Sequence, residues 1–185
     1  EFDDSLQQLV GPRDWKSPQP QRLYDLVVIG GGTAGLVAAA IAAGLGAKVA
    51  LIESKLRGGD CLNYGCVPSK ALLAASHRLR YLREASDFGV AAASGEVDFP
   101  KVMQRLRKLR ADLAHHDSAQ RFTDLGVDVF IGRGEFLNDD TVHVELSDGA
   151  LRALRFKRCM IATGAHPASW PIEGIDSVAP MSNHD

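Results

Sequence analysis

Excess charge of either sign is missing from the 185-residue sequence: 21 Lys and Arg against 23 Asp and Glu leave a formal charge of −2. That balance gives no electrostatic footprint for nucleic acid or for an acidic membrane surface. Long hydrophobic runs are missing as well. The most apolar stretch, Leu26 to Ile52, is interrupted by six glycines and does not read as a membrane span. No basic segment leading into an apolar core marks a signal peptide, and the opening Glu1-Phe2 reads as a cloning scar or an internal cut. Cysteine is scarce. Three in total, only two of them close together, do not make a secreted disulfide scaffold; a reducing, cytoplasmic setting fits better. A zinc centre needs a second ligand pair, and Cys159 has neither a partner Cys nor a suitably spaced His. His115 and His116 are adjacent, so on a helix they point about 100° apart and chelate poorly. No metal site is expected. With 45% hydrophobic and 24% charged residues, the composition excludes wholesale disorder and fits one domain of ordinary size.

What is present centres on Gly58-Gly59-Asp60-Cys61-Leu62-Asn63-Tyr64-Gly65-Cys66-Val67-Pro68-Ser69-Lys70. Cys61 and Cys66 can approach each other only if the backbone between them bends, which Gly65 permits. Val67-Pro68 marks a helix start, because Pro is tolerated in a first turn. Cys66 therefore lies at a helix N-terminus, where the partial positive charge favours thiolate, and Lys70 adds a cation one turn on. A purely structural disulfide is the plain alternative, but so small a ring restrains the unfolded chain little. Dithiol–disulfide exchange is the better reading.

Upstream, Tyr24 to Ile29 is a β-branched apolar run that ends in Gly30-Gly31-Gly32-Thr33-Ala34-Gly35 and passes into a small-residue helix from Ala34 to about Ala43. Gly30 suits a tight turn, Gly32 a close approach of pyrophosphate, and Gly35 close packing of helix on strand. The helix start, with Thr33 and Ala34, supplies amide donors for phosphate. Lys48 to Ile52 is a second strand ending at Glu53, 23 residues past Gly30, where an acid accepts hydrogen bonds from an adenosine ribose. Ser54 comes next at the same strand end. Strand, glycine turn, helix, strand and acid in this order indicate a dinucleotide site.

The rest of the chain frames these two motifs. Glu1 to Arg22, with Pro12, Pro18 and Pro20, is expected to be an irregular arm pinned at Trp15. A helix runs from Ala71 to about Glu84, and a second, amphipathic one starts after Asp98 as its N-cap, its basic residues forming a wet face. Val127 to Ile131 is a core strand, and Gly132-Arg133-Gly134 is expected to turn the chain. Next come a hairpin across Asn138-Asp139-Asp140 and a strand from Leu151 to Arg155. Arg158 to Ala162 is expected to be a buried strand ending at Thr163-Gly164, with Cys159 in the core. Trp170-Pro171 and Glu173-Gly174 are expected turns in a loop-like tail.

Together, the glycine fingerprint, Gly59-x-Cys61-x-Asn63-x-Gly65-Cys66-x-Pro68-Ser69-Lys70 and Ala162-Thr163-Gly164 resemble the class I flavin disulfide reductases, which include dihydrolipoamide dehydrogenase, glutathione reductase and mercuric reductase. The resemblance runs from about Arg22 to the end. The N-terminal arm and the Thr33-Ala34-Gly35-Leu36-Val37 helix start look most like the mercuric-reductase-like branch. The resemblance implies an α/β fold: a Rossmann-type FAD-binding domain with a parallel sheet and a small antiparallel meander over residues 22–185, behind an arm at 1–21. Nucleotide and interface domains are absent from that span. It implies FAD in the dinucleotide site, with NADH or NADPH as co-substrate of a longer protein, dimeric when whole. Gly30 to Gly35 would hold the pyrophosphate, Glu53 the ribose, and backbone near Gly134 the adenine. Ala162, Thr163 and Gly164 would lie against the cofactor. Cys66 would face the flavin, Cys61 would meet a disulfide or metal-ion substrate, and Lys70 would favour electron-rich flavin. Asp60, where many relatives carry Thr, would have to be hydrogen-bonded or turned outward to sit near a pyrophosphate. Tyr64 would alter access to Cys61. With one glycine fingerprint and no matching catalytic His, the chain is not expected to turn over by itself. Two alternatives are a stand-alone FAD-binding redox module serving a partner protein and a flavin-free nicotinamide dehydrogenase.

Overall fold

A computed structural model describes the chain apart from residues 92, 94, 169, 170 and 185 and the side chain at 176; the expected turn at Trp170 therefore lies outside the described residues. Six strands form one mixed sheet in the order β5-β4-β3-β2-β1-β6: β1 Leu26–Ile29, β2 Val49–Glu53, β3 Val127–Asn138, β4 Thr141–Leu146, β5 Leu151–Arg155 and β6 Cys159–Ile161. Strands β6, β1, β2 and β3 are parallel, while β4 and β5 add to β3 antiparallel.

Strands β1 and β2 are buried on both faces, so the sequence runs apolar without alternation. One set of side chains, Tyr24, Val27, Ala50, Ile52, Phe130, Val142 and Leu154, forms one core cluster. The alternate positions, Val28, Val49, Leu51, Val127 and Val129, form another with Leu36 and Ala39 of helix α2, Thr33–Gly44, and with Phe122 of α6, Ala119–Asp124. Tyr24 fastens the start of β1 to β3: its hydroxyl donates to Asp128 Oδ2 at 2.8 Å and accepts from Gln21 N at 3.0 Å.

The arm departs from expectation. Phe2–Val10 is a helix, α1, that buries Leu6 and Val10 against Leu62, Ala111 and Ala114. The prolines begin only at Pro12; before them, Phe2, Leu6, Leu9 and Val10 recur on one helical face. Trp15 does pin the irregular segment beyond α1, its indole Nε1 donating to Val129 O at 3.0 Å.

A second departure is the segment Gly132-Arg133-Gly134, which continues β3 as one 12-residue strand and does not turn. Gly132 lies opposite Leu146, where a Cβ would collide with the Glu145 carbonyl, so the glycine serves a close approach of strands. The hairpin turn is two residues, Asp139-Asp140. Strand β6 is a sheet edge and only half buried: Cys159 and Met160 are partly covered and Ile161 is exposed. The two long helices lie as expected, α4 at Cys66–Glu84 and α5 at Phe99–Leu113, the latter capped by Asp98 Oδ1 accepting from Lys101 N at 3.0 Å.

Candidate functional site

Strand β1 delivers the chain to Gly30, whose φ of +109° and whose contact with the Ala162 carbonyl exclude a side chain. Gly35, in the first turn of α2, abuts the Gly30 carbonyl with no room for a Cβ, so the helix packs directly on the glycine turn. Helix α2 begins without a side-chain cap, which leaves its first amides available to a ligand. Beside this start lies a cleft of about 570 Å³. Gly30, Gly32, Thr33 and Ala34 form one wall, Glu53 and Ser54 at the end of β2 another. Gly134 closes one side, Ala162, Thr163 and Gly164 a second, and Gly59, Asp60 and Cys61 the third.

Glu53 is held at both oxygens. Oε2 accepts from Gly31 N at 2.6 Å and Oε1 from Lys55 N at 2.7 Å. Each oxygen keeps lone-pair capacity for a hydroxyl in the cleft.

The cysteine motif is seated on the same glycine loop. Gly58, with φ +86°, donates its N–H to Gly31 O at 2.8 Å, and Gly59, with φ +54°, comes so near Gly32 that a Cβ would lie 2.7 Å from the Gly32 Cα. From there Gly59–Asn63 forms a short helix, α3, so Cys61 sits on a helical turn. Asn63 Nδ2 donates to Gly59 O at 2.9 Å and Arg57 O at 3.2 Å, which fixes that turn. Gly65 breaks it, and α4 starts at Cys66 as the Val67-Pro68 signal requires.

The two sulfurs are free thiols in this structure. The neighbouring Cys66 side chain, with partial burial, holds the Cys61 pKa above the ordinary thiol range, while Thr33 and Lys70 pull the other way. Cys61 is half-buried in the cleft wall. Cys66 is exposed and, with Gly35, Gly65 and Lys70, lies outside that wall. Cys159 stands apart on β6, its thiol pushed up by burial. Cys61 also borders a second cavity of about 260 Å³, walled by Leu36, Val37, Leu62, Val67 and Leu113, with His116 and Asp117 present. Among the described residues no group of three His, Cys, Asp or Glu is placed to hold a metal ion.

Asp60 lines the cleft but is engaged. Its Oδ1 accepts from Asn183 Nδ2 at 2.9 Å and lies 3.2 Å from His184 Nε2, while the His184 ring stacks on Tyr64 with centroids 4.4 Å apart. The tail thus returns to the cysteine motif, a contact across 124 residues with no local sequence signal. Arg133 and His166 also line the cleft without having been expected there.

A glycine loop at an uncapped helix start, an acid fixed at the next strand end, and one thiol of a neighbouring pair thus meet at a single cleft. The chain belongs to the pyridine nucleotide-disulphide oxidoreductase family, whose profile matches residues 24–184. It is 37% identical to a dihydrolipoyl dehydrogenase of Bacillus subtilis (strain 168) over 88% of this chain and 36% of that protein. It is 36% identical to a mercuric reductase of Shigella flexneri over 93% of this chain and 30% of that one. Among solved structures, the copper(II) complex of a mutant of the HOCl-induced flavoprotein disulfide reductase RclA from Escherichia coli matches with a TM-score of 0.67 and 28% identity, over 85% of this chain and 32% of that one. The chain spans about a third of the length of these relatives.

Proposed function

We propose that the chain is the FAD-binding, thiol-bearing part of an NAD(P)H-dependent disulfide oxidoreductase. The observation that carries this reading is that Cys61, five residues before the Cys66 that opens α4, walls both the glycine-loop cleft and the apolar cavity behind it. The cleft fits the cofactor: Gly30 and Gly32 leave a cradle for pyrophosphate, the first amides of α2 donate to it, and Glu53 offers fixed carboxylate oxygens to ribose hydroxyls. Gly134 offers backbone to the adenine, and Ser54 and Ala162 to Gly164 complete the walls. Bound there, FAD supplies the redox link between a nicotinamide nucleotide and the thiol pair.

The chemistry of the pair is thiol–disulfide exchange. Deprotonated Cys61 Sγ attacks one sulfur of a substrate disulfide; that S–S bond breaks and the departing thiolate takes up a proton. Cys66 Sγ then attacks the Cys61 sulfur and expels the second substrate thiolate. The Cys61–Cys66 bond forms as the pair gives up two electrons and the substrate gains two. Lys70 favours the thiolate form of Cys61. Lipoamide-type disulfides and mercuric ion are the substrate classes suggested by the relatives' names.

The test uses the full-length protein that contains this chain. NADH or NADPH oxidation coupled to disulfide or mercuric ion is expected to fall at least about a hundredfold in Cys61→Ser and in Cys66→Ser, with bound flavin retained. The 185-residue chain with added FAD is expected to show only the free-flavin background. Undiminished turnover in either variant removes the pair from the reaction. Steady turnover by the chain alone favours the stand-alone redox module.

A further inference from the structure

Arg57 is a buried cation that the thiol–disulfide chemistry does not use. Its side chain has no exposed surface, which is rare for Arg unless it is paired. Nε donates to Asp117 O at 3.3 Å and Nη2 to Leu9 O at 3.1 Å, while Nη1 has no partner. Two carboxylates, Glu53 and Asp117, lie near enough to favour its charged form, against burial that pushes it down to about 10. The guanidinium is therefore charged at neutral pH.

Its neighbours belong to three separate parts of the fold. The first is α1: Arg57 N donates to Val10 O at 3.0 Å, and Nη2 takes Leu9 O, so Arg57 satisfies two carbonyls at the C-terminal end of that helix. Helix α1 carries no basic residue in its own last turn, and Arg57 supplies the cation that the negative helix end favours. The second is the glycine loop. A Cβ on Gly31 would lie 2.9 Å from Arg57 Cγ and 3.2 Å from Glu53 Oε2, so the Arg57 stem and the Glu53 carboxylate together form the floor under Gly31. The third is the segment before α6, reached through the Asp117 carbonyl.

We propose that Arg57 is a positioning residue of the dinucleotide site: it fastens α1 to the underside of the glycine loop and, by its charge, keeps the Glu53 carboxylate aimed at the adenosine ribose. Helix α1 is thus part of the cofactor site's support, although it contributes no residue to the cleft wall. The proposal rests on the reading that the cleft takes FAD. By linkage, whatever α1 docking does for cofactor binding, cofactor binding does for α1 docking.

The test measures FAD affinity of the chain by flavin fluorescence, with far-UV circular dichroism to confirm folding. Arg57→Met is expected to bind FAD about tenfold more weakly. Glu53→Gln is expected to weaken FAD as well, and adding Arg57→Met to it to cost less than about twofold more, since the two act as one unit. Arg57→Lys, which keeps the charge and loses the fork, is expected to fall between and decides the matter if Arg57→Met does not fold. Hydrogen exchange supplies a second readout: FAD is expected to slow the amides of Phe2–Val10 in the parent chain and not in Arg57→Lys. An Arg57 variant that melts earlier yet binds FAD with parent affinity overturns the proposal, as does exchange in α1 indifferent to bound FAD. A parent chain that binds no FAD overturns the reading of the cleft itself.

Discussion

At the scale of single residues, the site depends on unequal environments for like groups. Cys61 and Cys66 are five positions apart, yet one is half-buried in the cleft wall and the other is exposed at a helix start. The Cys66 side chain and partial burial raise the Cys61 pKa, so its thiolate appears at higher pH than that of an ordinary thiol. Replacing the neighbour, in Cys66→Ala, removes the effect of Cys66 and leaves burial alone against the downward pull of Thr33 and Lys70. The midpoint of Cys61 alkylation against pH is therefore expected to move to lower pH, read by mass-mapped iodoacetamide labelling. An unmoved or raised midpoint means that the two thiols are not coupled. In the flavin-free chain, exposure also puts Cys66 ahead of Cys61 and Cys159 in labelling order. Glu53 and Cys61 were legible because each stands at a fixed offset from glycines whose purpose is local. His184, Asn183 and Arg57 were not, because their partners are set by tertiary return of distant segments.

At the scale of elements, the sequence misleads where a glycine has two physical uses. Gly132 and Gly134 look like punctuation between strands, but both sit inside β3. The difference between them is steric. A Cβ on Gly132 collides with the Glu145 carbonyl of β4, whereas one on Gly134 meets Ile52 and Val142 side chains at 3.4 Å, an ordinary contact. Gly132→Ala is expected to destabilise the fold by about 2 kcal/mol through forced separation of the strands, and Gly134→Ala by well under half of that. Urea unfolding of the two variants measures both; equal losses contradict the strand-approach account. The same ambiguity attends proline. Three prolines suggest an irregular arm, but they govern only the residues from Pro12 onward, and the apolar face of α1 decides the conformation before them. The parallel strands and their intervening helix α2 were clear because buried apolar runs and small-residue helices leave few other choices.

At the scale of the whole molecule, one sheet brings two motifs together that lie a loop apart in sequence. Parallel pairing of β1 with β2 and β6 puts the glycine turn, Glu53 and Ala162 at the same end of the sheet, the carboxyl end, where open α/β sheets bind ligands. Chain order predicts that convergence; the Arg57 support under the glycine loop and the cleft's rim at His184 come only from packing. No described helix is long and apolar enough to cross a membrane. The central claim is that this cleft selects FAD, with the thiol pair beside it. The direct measurement is a titration of the purified chain with FAD and, separately, with NAD⁺, then mass identification of the nucleotide retained after gel filtration. One FAD per chain is expected, bound at least about tenfold more tightly than NAD⁺, and weakened by Glu53→Gln. Tighter binding of NAD⁺, or no flavin retained by folded chain, contradicts it.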